Sequence, residues 1–178
     1  AVRIPDSPTL DVTTDFTLGA WVKPNSIPAY PNAALVISKV GPIGNLNGYQ
    51  MVVSNIGGTN KIWCGFNIGG NNWPQHTATG GNISVGEWTY VACTYDHNTL
   101  AVHQNGEQVG STTVGPVTIA NTSSNLRLGS DDVGQQFYSG LIDEPMVFGR
   151  ALVASELRSL YEAGGLGVCQ TTTPALPT

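Results

Sequence analysis

The stretch from Gly86 to Glu107 leaves this chain little freedom of fold. Trp88 to Tyr95 is dense in aromatic and β-branched residues, which suit a pleated, half-buried surface. Asp96, His97 and Asn98 follow, turn residues whose side chains can bond their own backbone. Leu100 to Gln104 alternates apolar and polar residues. Asn105-Gly106 is the dipeptide that best tolerates the positive φ angles of a tight hairpin, and Gln108-Val109 begins a return strand. Strands drawn together by two such turns predict antiparallel β-structure, around which the remaining sequence must pack.

At 178 residues the chain is large enough for one domain with a substantial core. Hydrophobic residues make up 40% and charged residues only 11%, a balance that excludes a disordered chain. Seven Lys and Arg stand against 12 Asp and Glu, with no basic cluster, so the phosphate-binding footprint of a nucleic-acid partner is missing. No run approaches the roughly 20 apolar residues of a membrane span. The sequence starts at Ala1 without Met or signal peptide, as expected of a mature chain or an excised module. Cys64 and Cys93 both fall in predicted strands, either as buried thiols or as a bridge. Cys169 lies beyond the last apolar segment, where it stays free or pairs outside the chain. The cysteine spacing matches no zinc motif.

Read in order, the chain offers strands at Val2–Ile4, Phe16–Pro24, Ala34–Val40, Tyr49–Ser54 and Lys61–Ile68. Phe16, Leu18, Ala20 and Val22 share one face of the second of these. Gly69 to Gly81 reads as one long polar loop. Beyond the central stretch come short strands at Val117–Ile119 and Asn125–Leu128, then a strand ending at Phe148. Leu157, Leu160 and Tyr161 fall at helical spacing in a helix from Ala154 to about Ala163, with Ser155 as its expected cap and Gly164-Gly165 as its stop. A Thr/Pro tract follows and reads as the start of a linker, giving a domain over residues 1–166 and a linker from 167 to 178. The fold expected is all-β: a two-sheet antiparallel sandwich with one short C-terminal helix. Phe16, Leu18, Trp88, Val91, Ile142 and Phe148 are the expected core, Trp21 on the other face of its strand is also expected to be buried, and Trp63 is open to either reading.

Three blocks carry a family resemblance. The first is Asp15-Phe16-Thr17 with Ala20-Trp21-Val22-Lys23-Pro24, preceded by Pro5-Asp6-Ser7-Pro8. The second is Gly86 and Trp88 with Val91-Ala92, Thr94-Tyr95-Asp96 and Asn105-Gly106. The third is Gly140, Ile142-Asp143-Glu144 and Phe148, then Arg150-Ala151-Leu152 and the helix. In this order they resemble the LamG-like group of the concanavalin A-like jelly rolls, which includes laminin G domains, pentraxins, carbohydrate-binding modules and some glycoside hydrolases. Such domains usually carry Ser or Thr after the Leu of the third block, where this chain has Val153. The resemblance implies a jelly-roll sandwich. It also implies a structural calcium, Ca2+, bound by an Asp of the closing strand, here Asp143, with oxygens from the N-terminal region, where Asp6 is the nearest acid.

A catalytic constellation is not legible. Retaining glycoside hydrolases of related fold place alternate carboxylates on one strand face, whereas Asp143 and Glu144 are adjacent and point to opposite faces. His76, His97 and His103 are isolated, and no nucleophile elbow, zinc helix or phosphate loop is present. Binding chemistry is better represented. Asn71, Asn72, Trp73 and His76 in one polar loop, and Asp131, Asp132, Gln135 and Gln136 with Tyr138 in another, offer an aromatic face and planar hydrogen-bonding groups. Trp73 either covers the core or supplies a stacking face. Pro74 holds it extended and glycines flank its loop, which favours stacking. The reading is a secreted, noncatalytic carbohydrate-binding module for a neutral glycan, monomeric and attached to other domains. A protein-interaction or adhesion domain of laminin G type is the alternative, and a glycan-active enzyme a third.

Overall fold

The computed structural model describes residues 1–42, 46–70, 74–130 and 136–164. The central stretch forms β7 (Thr89–Asp96), β8 (Thr99–Gln104) and β9 (Glu107–Thr113), paired antiparallel in succession. Its turns are closed as their residues demand. The Asp96 carboxylate accepts the Asn98 and Thr99 amides at 3.0 and 2.7 Å, and His97 takes a φ of 66°. Asn105 and Gly106 both have positive φ, at 53° and 81°, as a twist-compatible two-residue turn requires.

β2 (Asp15–Ser26) pairs with β7 on one side and with β11 (Ser139–Phe148) on the other, completing a five-stranded sheet in the order β11-β2-β7-β8-β9. The second sheet has six strands, β1 (Val2–Ile4), β10 (Leu126–Leu128), β3 (Ala34–Val40), β4 (Gly48–Ile56), β5 (Thr59–Asn67) and β6 (His76–Gly80), in that order across it. All pairings within the two sheets are antiparallel. The expected sandwich is therefore the one observed.

Its core lies between the sheets. Phe16, Leu18, Ala20 and Val22 of β2 are fully buried against Tyr49, Met51 and Val53 of β4 and Cys64 and Phe66 of β5. Phe16 stacks on Tyr49 and meets Phe66 edge-on. Cys64 and Cys93 form a disulfide that crosses this core and joins β5 to β7, one strand of each sheet. A smaller cluster lies outside the five-stranded sheet, where helix α1 (Ala154–Ala163) covers Tyr90 and Ala92 with Leu157, flanked by Trp21, Leu160 and Tyr161.

Several expectations are corrected. Trp88 is 43% exposed. Thr89 pairs with Val22 of the core face, so Trp88 one residue earlier shares the outer face with Tyr90, outside the cluster under α1. Ile142 is only partly buried against the main core, and Phe148 packs in the outer cluster instead. The polar loop after Gly69 contains a strand, β6, because Ala78 buries inward between the outward Thr77 and Thr79. Val117–Ile119 is not a strand. Ile119 is buried, but its amide reaches Thr13 O and the Ala120 amide reaches Asn67 O, separate anchors that make no ladder. Ser155 does not cap α1. Val153 takes that position, and its amide donates to the Glu156 carboxylate at 3.0 Å. The proposed linker lies outside the described residues.

Candidate functional site

The outer face of the six-stranded sheet follows from strand alternation. Met51, Cys64 and Ala78 pair in register and point into the core. Their neighbours therefore point outward, in two rows across the sheet. One row runs Leu35, Val52, Trp63, Thr79, and the other runs Ser38, Gln50, Gly65, Thr77. Trp63 is half-buried, and its ring reaches along β5 to Gly65: a Cβ built on Gly65 would lie 3.3 Å from Trp63 Cη2 and 2.9 Å from Pro74 Cβ. A glycine here lets the indole and Pro74 meet over bare backbone. Among the described residues no side-chain hydrogen bond engages Gln50, Thr77 or Thr79, and no ring stacks on Trp63.

Both loops singled out in the sequence stand on this sheet. The 68–75 loop is tied at its base by a reciprocal clamp, with the Ile68 amide donating to Gln75 Oε1 and the Gln75 amide to Asn67 Oδ1, each at 2.8 Å. The segment after β10 is fastened to β3, where the Gly129 amide donates to Val36 O and the Leu35 amide to Gln136 O. β4, carrying Gln50 and Val52, lies between these two footings. Asn71, Asn72, Trp73, Asp131, Asp132 and Gln135 lie outside the described residues. Gln136 is at the footing of the second loop. His76 and Tyr138 do not face the outer rows. His76 pairs with Phe66, with ring centroids 5.2 Å apart, and burial lowers its pKa. Burial pushes the Tyr138 phenol pKa up; the ring lines a cavity of about 200 Å³ with Val2, Leu128 and Ile142.

The two acids expected at a calcium site are not brought together. Asp6 pairs at 2.8 Å with Lys39 of β3, a buried ammonium that also meets Asp11 and the Thr122 carbonyl. Asp6 thus shares one ammonium with Asp11. Asp143 lies on β11 of the other sheet, exposed, with Oδ1 accepting the Glu144 amide at 2.8 Å. No cluster of three His, Cys, Asp or Glu suited to a metal occurs among the described residues. Sequence reasoning missed both the Lys39 cluster and the Trp63 face. The signal for the second was present, since Trp63 and Gly65 share a face by alternation.

These features meet known proteins at the level of fold and family. Residues 1–158 match the Laminin_G_3 family of the concanavalin A-like lectin/glucanases superfamily. The chain belongs to that family. It is 23% identical over 153 residues to the zebrafish (Danio rerio) adhesion G-protein coupled receptor V1, a match over 84% of the chain that spans only 2% of the receptor. Among solved structures it resembles domain 4 of AbnA, a GH43 extracellular arabinanase from Geobacillus stearothermophilus in complex with arabinotriose. That likeness has a TM-score of 0.64 and 22% identity, over 89% of this chain and 71% of that one. The heptameric SAP-like pentraxin of Limulus polyphemus is similar at a TM-score of 0.61 and 14% identity, over 89% and 80% of the two chains. The likenesses to solved structures are of the jelly-roll fold, and the family match places the chain in the concanavalin A-like superfamily. No helix among the described residues is long and apolar enough to cross a membrane.

Proposed function

We propose that this chain is a noncatalytic carbohydrate-binding module of a larger extracellular protein and that it takes a neutral glycan. The observation that carries the reading is the common footing of the two loops. Each is rooted in the six-stranded sheet, one at the ends of β5 and β6 and the other beside Leu35 and Val36 of β3, with β4 between the two rootings. Trp73 would supply the stacking face, with Asn71, Asn72, Asp131, Asp132, Gln135 and Gln136 as hydrogen-bonding neighbours. A mixture of apolar area and a few orienting polar groups is the usual make-up of a small-ligand site. The resemblance to an arabinanase domain in complex with arabinotriose supports a sugar as the ligand. A module of a longer extracellular chain accords with the match to a small fraction of an adhesion receptor.

A glycan array on the isolated chain tests this, followed by calorimetry on the native chain and Trp73→Ala. The substitution should weaken binding roughly thirtyfold, the loss expected of one aromatic anchor. A clean negative array together with capture of a protein ligand would replace this reading by the adhesion function. Release of product from a polysaccharide would replace it by an enzyme.

A further inference from the structure

We infer that Trp63, with Gln50, Thr77 and Thr79, forms a second sugar-stacking subsite on the outer face of the six-stranded sheet; the inference rests on the reading just given. Four of the chain's aromatic side chains, Phe16, Tyr49, Phe66 and Tyr95, interlock in the core, and Trp21 stacks on Tyr161 beneath α1. Among the described residues no ring stacks on Trp63. It lies on the outer face beside Gly65, over which Pro74 also packs, and its side chain is partly exposed. A partly exposed aromatic of this kind on a regular strand offers the open part of its ring as a flat apolar plate.

The polar groups around the plate give the ligand class. Gln50 pairs in register with Gly65, Thr77 with Gly65 on the other side, and Thr79 with Trp63 itself. Their amide and hydroxyls are unspent within the described chain. Uncharged donors and acceptors set beside a ring match the alternating C–H faces and hydroxyls of a neutral sugar. Arg127, at the far end of the Gln50 row, already has a partner in the chain and is not a free clamp for a carboxylate. The rows run across the strands, which lie about 4.8 Å apart. Towards β3 they are covered, with Val52, Leu35 and Ser38 buried. The subsite is therefore confined to the β4–β6 part of the face, where Gln50, Trp63, Thr77 and Thr79 keep access to solvent. Pro74 touches the same point above Gly65 as the Trp63 ring, which makes this plate continuous with the end of the 68–75 loop.

The test uses arabinotriose, linear arabinan, xylan, mannan and a soluble β-glucan as probes, with polygalacturonate as the acidic control, against the whole chain. Affinity electrophoresis and calorimetry compare the native chain with Trp63→Ala, Trp63→Phe, Gly65→Ala and Trp73→Ala. A neutral probe should lose about tenfold or more in affinity with Trp63→Ala and recover in part with Trp63→Phe. Gly65→Ala, whose new methyl would push Pro74 and the indole apart, should weaken binding without changing the thermal midpoint by more than a few degrees. If Trp63→Ala or Gly65→Ala is unfolded, Gln50→Ala with Thr79→Ala takes its place, since neither side chain holds the fold. A probe that binds both Trp63 and Gly65 variants as tightly as the native chain, while failing with Trp73→Ala, overturns this subsite and leaves the module reading intact. Binding of polygalacturonate alone, abolished by Lys61→Ala two residues before Trp63 on the same face of β5, overturns the neutral ligand class. Failure of every probe to bind the native chain overturns both.

Discussion

The Lys39 ammonium lies 2.8 Å from an Asp11 carboxylate oxygen while its side chain is 1% exposed. Asp6 sits at the same distance, and the Thr122 carbonyl accepts a further bond. Next to it Tyr49, the register partner of Lys39, donates its hydroxyl to Leu10 O at 2.9 Å. Two inward polar side chains thus fasten residues 6–11 over one end of the core. Removing the ammonium leaves two carboxylates facing each other with partial access to water. Lys39→Met should therefore cost on the order of 2 kcal/mol, less than the roughly 3–5 of a fully buried pair. Urea unfolding checks this, and a midpoint equal to that of the native chain would show the cluster to be decorative.

His103 gives the fold an acid-side limit. It is buried on β8, its Nε2 lies 2.9 Å from the Thr94 hydroxyl, and Nδ1 has no partner among the described residues. Burial depresses its pKa to about 4. Because the unfolded chain takes up this proton near pH 6.5 and the folded chain only near 4, stability is full above 6.5 and falls as pH drops between those values, by up to about 3 kcal/mol. His76, lowered by burial in the same direction, adds to this window. Glu156, held near 2 by the Arg150 side chain, acts only at lower pH. Unfolding free energies from pH 7.5 to 4 should slope down in the native chain and flatten in His103→Gln. An equal slope in the variant would assign the effect elsewhere.

The Cys64–Cys93 bridge ties sheet to sheet across 29 residues of sequence. Closing a loop of that length in the unfolded chain should be worth about 3–4 kcal/mol by chain entropy. The double substitution Cys64→Ala, Cys93→Ala should lose that much, and the reduced native protein should match it. Both cysteines are fully buried, so thiol-reactive label should enter only on unfolding or reduction. Labelling of the folded, oxidised chain at either position would contradict the bridge.

The parts of the fold legible in the sequence are those set by local rules. Asn105-Gly106 specified its hairpin because only such residues accept two successive positive φ angles, and the alternation of Phe16, Leu18, Ala20 and Val22 specified which face of β2 is buried. Trp88 misled because its face depends on where β7 begins relative to β2, a register that aromatic content does not encode. β6 was hidden in a polar loop because one buried Ala78 among threonines and glycines is too weak a pattern. The Trp63 face needed the neighbouring strands, since only register sets Gln50 and Thr77 around Gly65. Lys39 and Asp11 are 28 residues apart, and nothing local announces that they meet.

Calcium remains a proposal for Asp143, and the structure sharpens its test by separating that residue from Asp6. β11 breaks register between Asp143 and Met146, with Glu144 at a φ of 46° and Pro145 next to it. A bulge of this kind takes backbone groups out of the ladder beside an exposed carboxylate. Carboxylate and carbonyl oxygens are the hard donors that calcium prefers. An ion bound there only in the folded state would stabilise by about 2.7 kcal/mol at a hundredfold excess over its dissociation constant, raising the melting midpoint by about 5 °C or more in a chain of this size. The native chain should then melt higher in calcium than in chelator, Asp143→Ala should melt alike in both, and Asp6→Asn should keep the calcium response although it loses part of the Lys39 cluster. A calcium response that disappears in Asp6→Asn and survives in Asp143→Ala would move the ion to the N-terminal acids; no response in the native chain would remove it from the protein.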